Sequence, residues 1–413
     1  MSDWAEHVIW WHLHPLTFLG APRQALPPGA PAEPRLRNLG PWLDYLLELG
    51  CNGLALGPIF ASETHGYDTV DHYRVDRRLG TEDDLRWLVD ECRAKGIRVM
   101  LDGVFNHVGR GFAHPEWFRR DGGDYATFEG HGHLVALDHD DPEVVEYVTG
   151  VMRHWLDFGV DAWRLDAAYA VPLPFWKKTA GAIDGGWFVG EVIHGDYPAW
   201  VRDGGLDSVT QYELWKAVWS SLNDLNLFEL AWALERHDTF SADFAPMTFV
   251  GNHDVTRLAS ALTDRRHLGL ALVVLFTVGG VPSIYAGDEQ AFQGVKREAE
   301  NGDDAIRPAF PSTPAGLAPD GWPVYRLHEQ LIGLRRRHPW LHRAVTRPVH
   351  LANKQFAYEV SAGDHRLIVL LNAADHGHDF PLETGPLRTL LTHDGADNGT
   401  FVAGPGWSIL EPA

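Results

Sequence analysis

The segment GVDAWRLDAAYA (Gly159–Ala170) reads as a short buried strand that breaks off in charge. Val160, Ala162, Arg164 and Asp166 alternate with Asp161, Trp163 and Leu165, as the two faces of a strand do. Arg164 and Asp166 therefore share a face, two residues apart, and a guanidinium beside a carboxylate closes an otherwise apolar element.

The same texture repeats outward from this point. DPEVVEYVTGVMRHWLDFG precedes it as an amphipathic helix, and IRVMLDGVFNH before that is a strand. TEDDLRWLVDECRAKG opens with Thr81 as a cap and acids in its first turn, which the positive end of a helix favours. NGLALGPIF is a strand, LGPWLDYLLELG a helix stopped by Gly50, and HVIWWHLHPL the first strand. In the other direction GWFVGEV, DSVTQYEL, PMTFVGNHD and GVPSIYAGDE continue the alternation. Eight strands separated by helices predict a parallel (β/α)8 TIM barrel.

Beyond the helical VYRLHEQLIGLRRRHPWL the pattern turns to short strands punctuated by Gly, Asp and Asn, which predicts a C-terminal antiparallel β-sandwich domain. The expected division is a catalytic barrel over residues 1–343, with a short insertion at about 108–141, and a β-domain over 344–413. The Pro-rich APRQALPPGAPAEPRL is expected to be a long loop after the first strand.

Composition narrows the classes of function. The 413 residues carry a formal net charge of -21, which argues against nucleic acid or an anionic membrane as partner. LGLALVVLFTVGGVPSIYAG is the most hydrophobic run, but Gly279, Gly280 and Pro282 break it into a buried helix and a buried strand. Two cysteines, Cys51 and Cys92, imply no disulfide framework, and the N-terminus lacks a basic segment followed by an apolar one. Together these point to a soluble cytoplasmic protein. The seventeen Trp suit sugar stacking, although most are expected in the core.

Polar residues gather where the strands end: Asp102, His107, Asp166, Glu191, His253 and Asp254. The C-terminal face of a barrel is where its active site forms. Carboxylates at neighbouring strand ends suit glycosidic bond cleavage, in which a retaining enzyme places an ionised and a protonated carboxyl about 5–5.5 Å apart. Arg164 beside Asp166 favours the ionised form. Glu191, in the apolar setting of WFVGEVIH, is expected to hold its proton and act as general acid.

The segments DGVFNH, GVDAWRLDAA, GEV and FVGNHD resemble, in order, the four signature segments of the α-amylase family, glycoside hydrolase family 13. HGYDTVDHYRVDRRLGT and GGVPSIYAGDE resemble two further family segments, so the likeness covers nearly the whole chain. The resemblance implies retaining cleavage of α-glucosidic bonds, α-1,4 by the cue of Ala167, in short α-glucosides or maltooligosaccharides. It implies Asp166 as nucleophile, Glu191 as acid/base and Asp254 as the carboxylate that steadies the distorted sugar. By the same match Tyr67, Asp68, His107, Arg164 and His253 bind substrate. No cofactor is required; Asn106 matches a calcium ligand of many α-amylases, but the short insertion leaves that site without its partners. Tyr169 and Ala170 stand where the family often carries Lys and His on the leaving-group side.

Two other readings compete. His12 and His14 in HLH resemble the metal pair of amidohydrolase barrels, which also require histidines at the fifth and sixth strand ends; Glu191 and TQYE stand there instead. A non-catalytic sugar-binding barrel is the second, and the three intact carboxylates speak against it. Glycosyl transfer to a second sugar or isomerisation, by way of the same intermediate, stays open, as does oligomeric state.

Overall fold

A computed structural model describes residues 3–299, 301–383, 385–396 and 399–413. Two compact units divide the chain: one runs to Thr210 and takes in Arg307–Ala318, the other comprises Gln211–Ile306 and Pro319–Ala413.

All eight strands expected from the alternation form. In the first unit they are β1 (Trp10–Leu13), β2 (Gly53–Leu56), β3 (Arg98–Gly103), β4 (Ala162–Leu165), β5 (Phe188–Gly190) and β6 (Ser208–Val209). Each is parallel to the next in chain order, so the sheet grows by one strand and its returning connection at a time. The β3–β4 register sets Arg164 directly opposite Asp102. In the second unit β7 (Met247–Thr248) pairs in parallel with β8 (Val281–Tyr285).

Local chemistry explains the element ends. The helix Glu82–Ala94 begins at a capping box: the Asp84 amide donates to Thr81 Oγ1, and the Thr81 amide donates to Asp84 Oδ2 at 2.9 Å. The helix Pro142–Phe158 turns Val144, Val148, Val151, Met152 and Trp155 inward and ends at Gly159, whose φ of 118° a side chain would resist. The helix Leu268–Thr277 is buried on nearly every side. Its end is tied down by Arg335, whose Nη1 donates to the carbonyls of Phe276 and Val278 and whose Nη2 donates to that of Gly280. Nine of the seventeen tryptophans lie in the core as expected: Trp10, Trp11, Trp42, Trp155, Trp163, Trp176 and Trp187 are fully buried, and Trp117 and Trp407 nearly so.

The insertion after β3 is small. His107–Gly109 pairs antiparallel with Leu134–Ala136, and a tight hairpin joins Arg120–Asp121 to Asp124–Tyr125. The Pro-rich loop after β1 carries little regular structure. It is held by the buried Arg78, which donates to the carbonyls of Pro22, Arg23 and Thr64 while pairing with Asp76 at 2.7 Å.

The C-terminal sheet has five antiparallel strands: β9 (Val345–Leu351), β10 (Gln355–Ala362), β11 (His365–Asn372), β12 (Leu387–Thr392) and β13 (Gly406–Pro412), in the order β9-β10-β11-β13-β12. A two-stranded ribbon, His378–Asp379 with Phe401–Val402, belongs to the same small domain. Between them lies a core of Ala357, Ile368, Leu370, Phe380, Val402 and Leu410. Among the described residues no helix is long and apolar enough to cross a membrane.

Candidate active site

Arg164, near the end of β4, is the hub of the first unit's polar cluster. Its Nη1 donates to Asp102 Oδ1 and Oδ2 at 2.9 and 3.0 Å and to Asp166 Oδ1 at 2.7 Å. Its Nη2 lies 2.7 Å from Glu191 Oε1. Only a planar fork of donors can reach three carboxylates in this way. Burial alone would lower the basicity of Arg164, but Asp102, Glu191 and Asp166 outweigh it and hold the guanidinium well above its usual value. The like-facing pair expected from the alternation is therefore a fork gathering acids from three adjacent strands.

Glu191 departs from expectation. Its carboxylate does not sit against apolar walls alone: it contacts Arg164, and its Oε2 accepts a hydrogen bond from the Ala167 amide at 2.9 Å. That amide is aimed by a strained turn, since Ala167 has φ 45°, an uncommon conformation for a residue with a Cβ. The turn brings the residue after Asp166 onto the side chain of Glu191, so the two carboxyls share a guanidinium and a turn.

Tyr67 and Asp68 come from the loop after β2. Tyr67 Oη donates to Asp102 Oδ2 at 3.2 Å, which ties its ring to the fork. Thr64 Oγ1 donates to Asp68 Oδ2 at 2.6 Å, and the buried Asp68 Oδ1 has no hydrogen-bond partner within the protein. His107 lies beyond β3, in the first strand of the insertion. Burial pulls its imidazole down to about 3, so the ring is neutral.

In the second unit, His253 is buried and its Nε2 lies 2.9 Å from Asp254 Oδ2. Asn252 shapes the turn that presents them: its Oδ1 accepts from the Asp254 amide at 2.9 Å, and its Nδ2 donates to Tyr212 Oη at 2.8 Å.

The amidohydrolase alternative finds no support at His14. Its Nδ1 pairs with Thr17 Oγ1 and its Nε2 with the His65 carbonyl, both at 3.1 Å, while the ring stacks on Tyr67. Both nitrogens serve the protein, as a loop residue's would. Among the described residues no group of three or more His, Cys, Asp or Glu could hold a metal ion. Asn106, the residue matched to a calcium ligand, turns its Nδ2 to His107 Nδ1 at 3.1 Å.

Three features escaped the sequence reading. Arg307 is nearly buried, with its guanidinium 5.7 Å over the Tyr67 ring. Phe128 stacks face to face on His107 at 4.6 Å and 14°. His133, from the same loop, lies edge-on to His65 at 5.7 Å. The pattern IRP could have flagged Arg307 as a cation in an otherwise apolar stretch; nothing local marks Phe128 or His133.

Comparison with known proteins completes the picture. The alpha amylase catalytic domain profile matches residues 36–125 and 110–345. A cyclomaltodextrinase from Geobacillus thermopakistaniensis (strain MAS1) is 28% identical, over 92% of this chain and 71% of its own length. A maltogenic alpha-amylase from Bacillus acidopullulyticus is also 28% identical, over 92% and 72%. The solved alpha-amylase from H.orenii shares the fold with a TM-score of 0.83 at 21% identity, covering 98% of this chain and 99% of that one. The fold is thus a (β/α)8 barrel with a C-terminal antiparallel domain, and the chain belongs to the α-amylase family of glycosidases, enzymes of α-glucosidic bonds.

Proposed function

We propose that the chain hydrolyses α-glucosidic bonds, chiefly α-1,4, in short α-glucosides or maltooligosaccharides, with retention through a covalent glucosyl-enzyme. The observation that carries this reading is the fork of Arg164, which holds Asp166 and Glu191 on adjacent nitrogens of one buried guanidinium. Asp166 attacks the anomeric carbon as the bond to the leaving oxygen breaks, and Glu191 delivers its proton to that oxygen. Water then gives a proton to Glu191 and attacks the same carbon, which frees Asp166. Arg164 favours Asp166 as an anion. The Arg164 guanidinium and the Ala167 amide, rather than apolar walls alone, fix the Glu191 carboxyl where it delivers its proton.

Asp254 and His253 take their roles by motif match: the former steadies the oxocarbenium-like sugar, the latter bonds its hydroxyls. Neutral His107 can donate and accept, and Asp68 Oδ1 has an open acceptor for a hydroxyl. Tyr67 offers the stacking ring. No cofactor enters the reaction, and the working compartment is the cytoplasm. The catalytic part spans 1–343, with its insertion at about 108–141, and 344–413 forms the accessory domain.

The test is a panel of maltose, maltotriose, isomaltose, trehalose, sucrose and cyclodextrins with products resolved by chromatography, which also separates hydrolysis from transfer. Asp166→Asn should abolish turnover and leave sugar affinity, read by calorimetry. Cleavage of no member of the panel, or undiminished turnover in Asp166→Asn, overturns the assignment.

A further inference from the structure

The residue three positions after Asp166 joins the insertion to the catalytic strand ends. The Tyr169 amide donates to the Glu191 carbonyl at 3.2 Å, which fixes its backbone beside the acid/base strand. Its Oη donates to Glu129 Oε1 at 2.8 Å, forty residues earlier in the chain. Glu129 belongs to the one-turn segment Phe128–Gly130 and has φ 48°, so the loop is bent there against the preference of a non-glycine residue. Such a bend persists when its surroundings hold it, and the Tyr169 hydroxyl is the side-chain partner that grips Glu129 itself, beside the backbone bond from His131 to Phe128. The neighbouring Phe128 lies flat on His107, 4.6 Å away, and its ring centre is 6.5 Å from that of Tyr169.

We propose that the Tyr169–Glu129 hydrogen bond is a latch: it seats the insertion loop with Phe128 on His107 and thereby sets which leaving groups the site accepts. The inference rests on the glycosidase reading above and adds its specificity element. By the family match Tyr169 stands on the leaving-group side, where relatives often carry a lysine, and its bond to Glu129 ties the insertion loop and the Phe128 ring to that position. Rings stack against flat sugar faces, and a tethered loop limits how far the departing chain extends. Tyr169 and Glu129 are positioning residues, acting through Phe128 and the loop. Burial of the Tyr169 phenol and the adjacent Glu129 carboxylate keep the hydroxyl protonated, as a donor must be.

The experiment is a double-mutant cycle of Tyr169→Phe, Glu129→Ala and the pair, with Glu129→Gln as the variant that keeps an acceptor. For each, kcat and KM are measured on maltose and on maltoheptaose, with melting temperatures as a check on folding. Releasing the latch should raise the maltoheptaose-to-maltose ratio of kcat/KM at least fivefold, mainly through KM, with kcat within about twofold. The double variant should match the stronger single one, because both remove the same bond, and Glu129→Gln should stay within about twofold of wild type. An unmoved ratio in Tyr169→Phe, which deletes one oxygen and keeps the ring, overturns the latch, as do additive effects. Wild-type protein that cleaves neither sugar would instead sink the glycosidase reading itself.

Discussion

Replacing Arg164 with Lys keeps a positive charge and removes the fork, so it isolates what the geometry contributes. In the structure, Nη1 serves Asp102 and Asp166 while Nη2 serves Glu191. A single ammonium cannot occupy both nitrogen positions, and at least one buried carboxyl loses this partner. Hydrogen bonds to charged groups contribute about 1.5–3 kcal/mol each, and severing a buried pair costs about 3–5 kcal/mol. If about 3–4 kcal/mol of this falls on the transition state, kcat/KM drops by roughly two to three orders of magnitude at 1.36 kcal/mol per decade. The sign for pH follows from the proposed nucleophile, which acts as an anion. Weaker cationic support leaves Asp166 protonated to higher pH, so the acid limb of the kcat/KM profile moves up in Arg164→Lys. Initial rates on maltotriose between pH 4 and 8, with circular dichroism to verify folding, measure both effects. A variant within threefold of wild type with an unshifted acid limb would refute the claim that the fork, rather than charge alone, prepares the two carboxyls.

Two further predictions concern stability. Burial pushes Asp238 up to about 6, against hydrogen bonds from the Thr346 amide and hydroxyl that favour its anion. Because the folded form holds this proton more tightly than the unfolded chain, the group's contribution is lost as pH rises from about 4 to 6. Asp238→Asn should therefore be more stable than wild type above pH 6 by about 1–3 kcal/mol and level with it below pH 4; denaturant curves at pH 4 and 8 showing the same difference would exclude this. The buried His72, His237 and His328 are each lowered to about 4, chiefly by burial. The unfolded chain takes up protons near 6.5 that the native state refuses, so stability falls as pH drops from 6.5 toward 4, by up to about 1.4 kcal/mol per pH unit for each ring. Thermal scans at pH 7.5 and 5.5 should differ by several degrees, and His72→Gln should lessen the slope; equal midpoints in wild type would count against it.

Much of this architecture is visible in one dimension because its causes are local. Strand alternation, the Thr81 cap, the glycine stops at Gly50 and Gly159, and the break in the apolar run at Gly279–Pro282 act over a few residues, and each element forms where these signals put it. The grouping of Asp102, Arg164 and Asp166 was legible too, because parallel strands in register bring their C-terminal ends together. The environment of Glu191 was not. Its strand is apolar, yet the Arg164 side chain from β4 and the Ala167 amide of the following turn reach it, and the period of β5 carries no trace of them.

The sequence by itself determined which residue types stand at the strand ends and in what order, since alternation, capping and turn chemistry are short-range. Only the tertiary structure decided that Glu191 shares Arg164 with Asp166, that Arg307 covers Tyr67, and that Phe128 rests on His107 with Glu129 tied to Tyr169. Those partners lie from about twenty to more than two hundred residues apart, except for Arg164 and Asp166. Contacts over such separations arise from how loops return across the strand ends, and a side chain's charge state and orientation answer to whatever that return sets beside it.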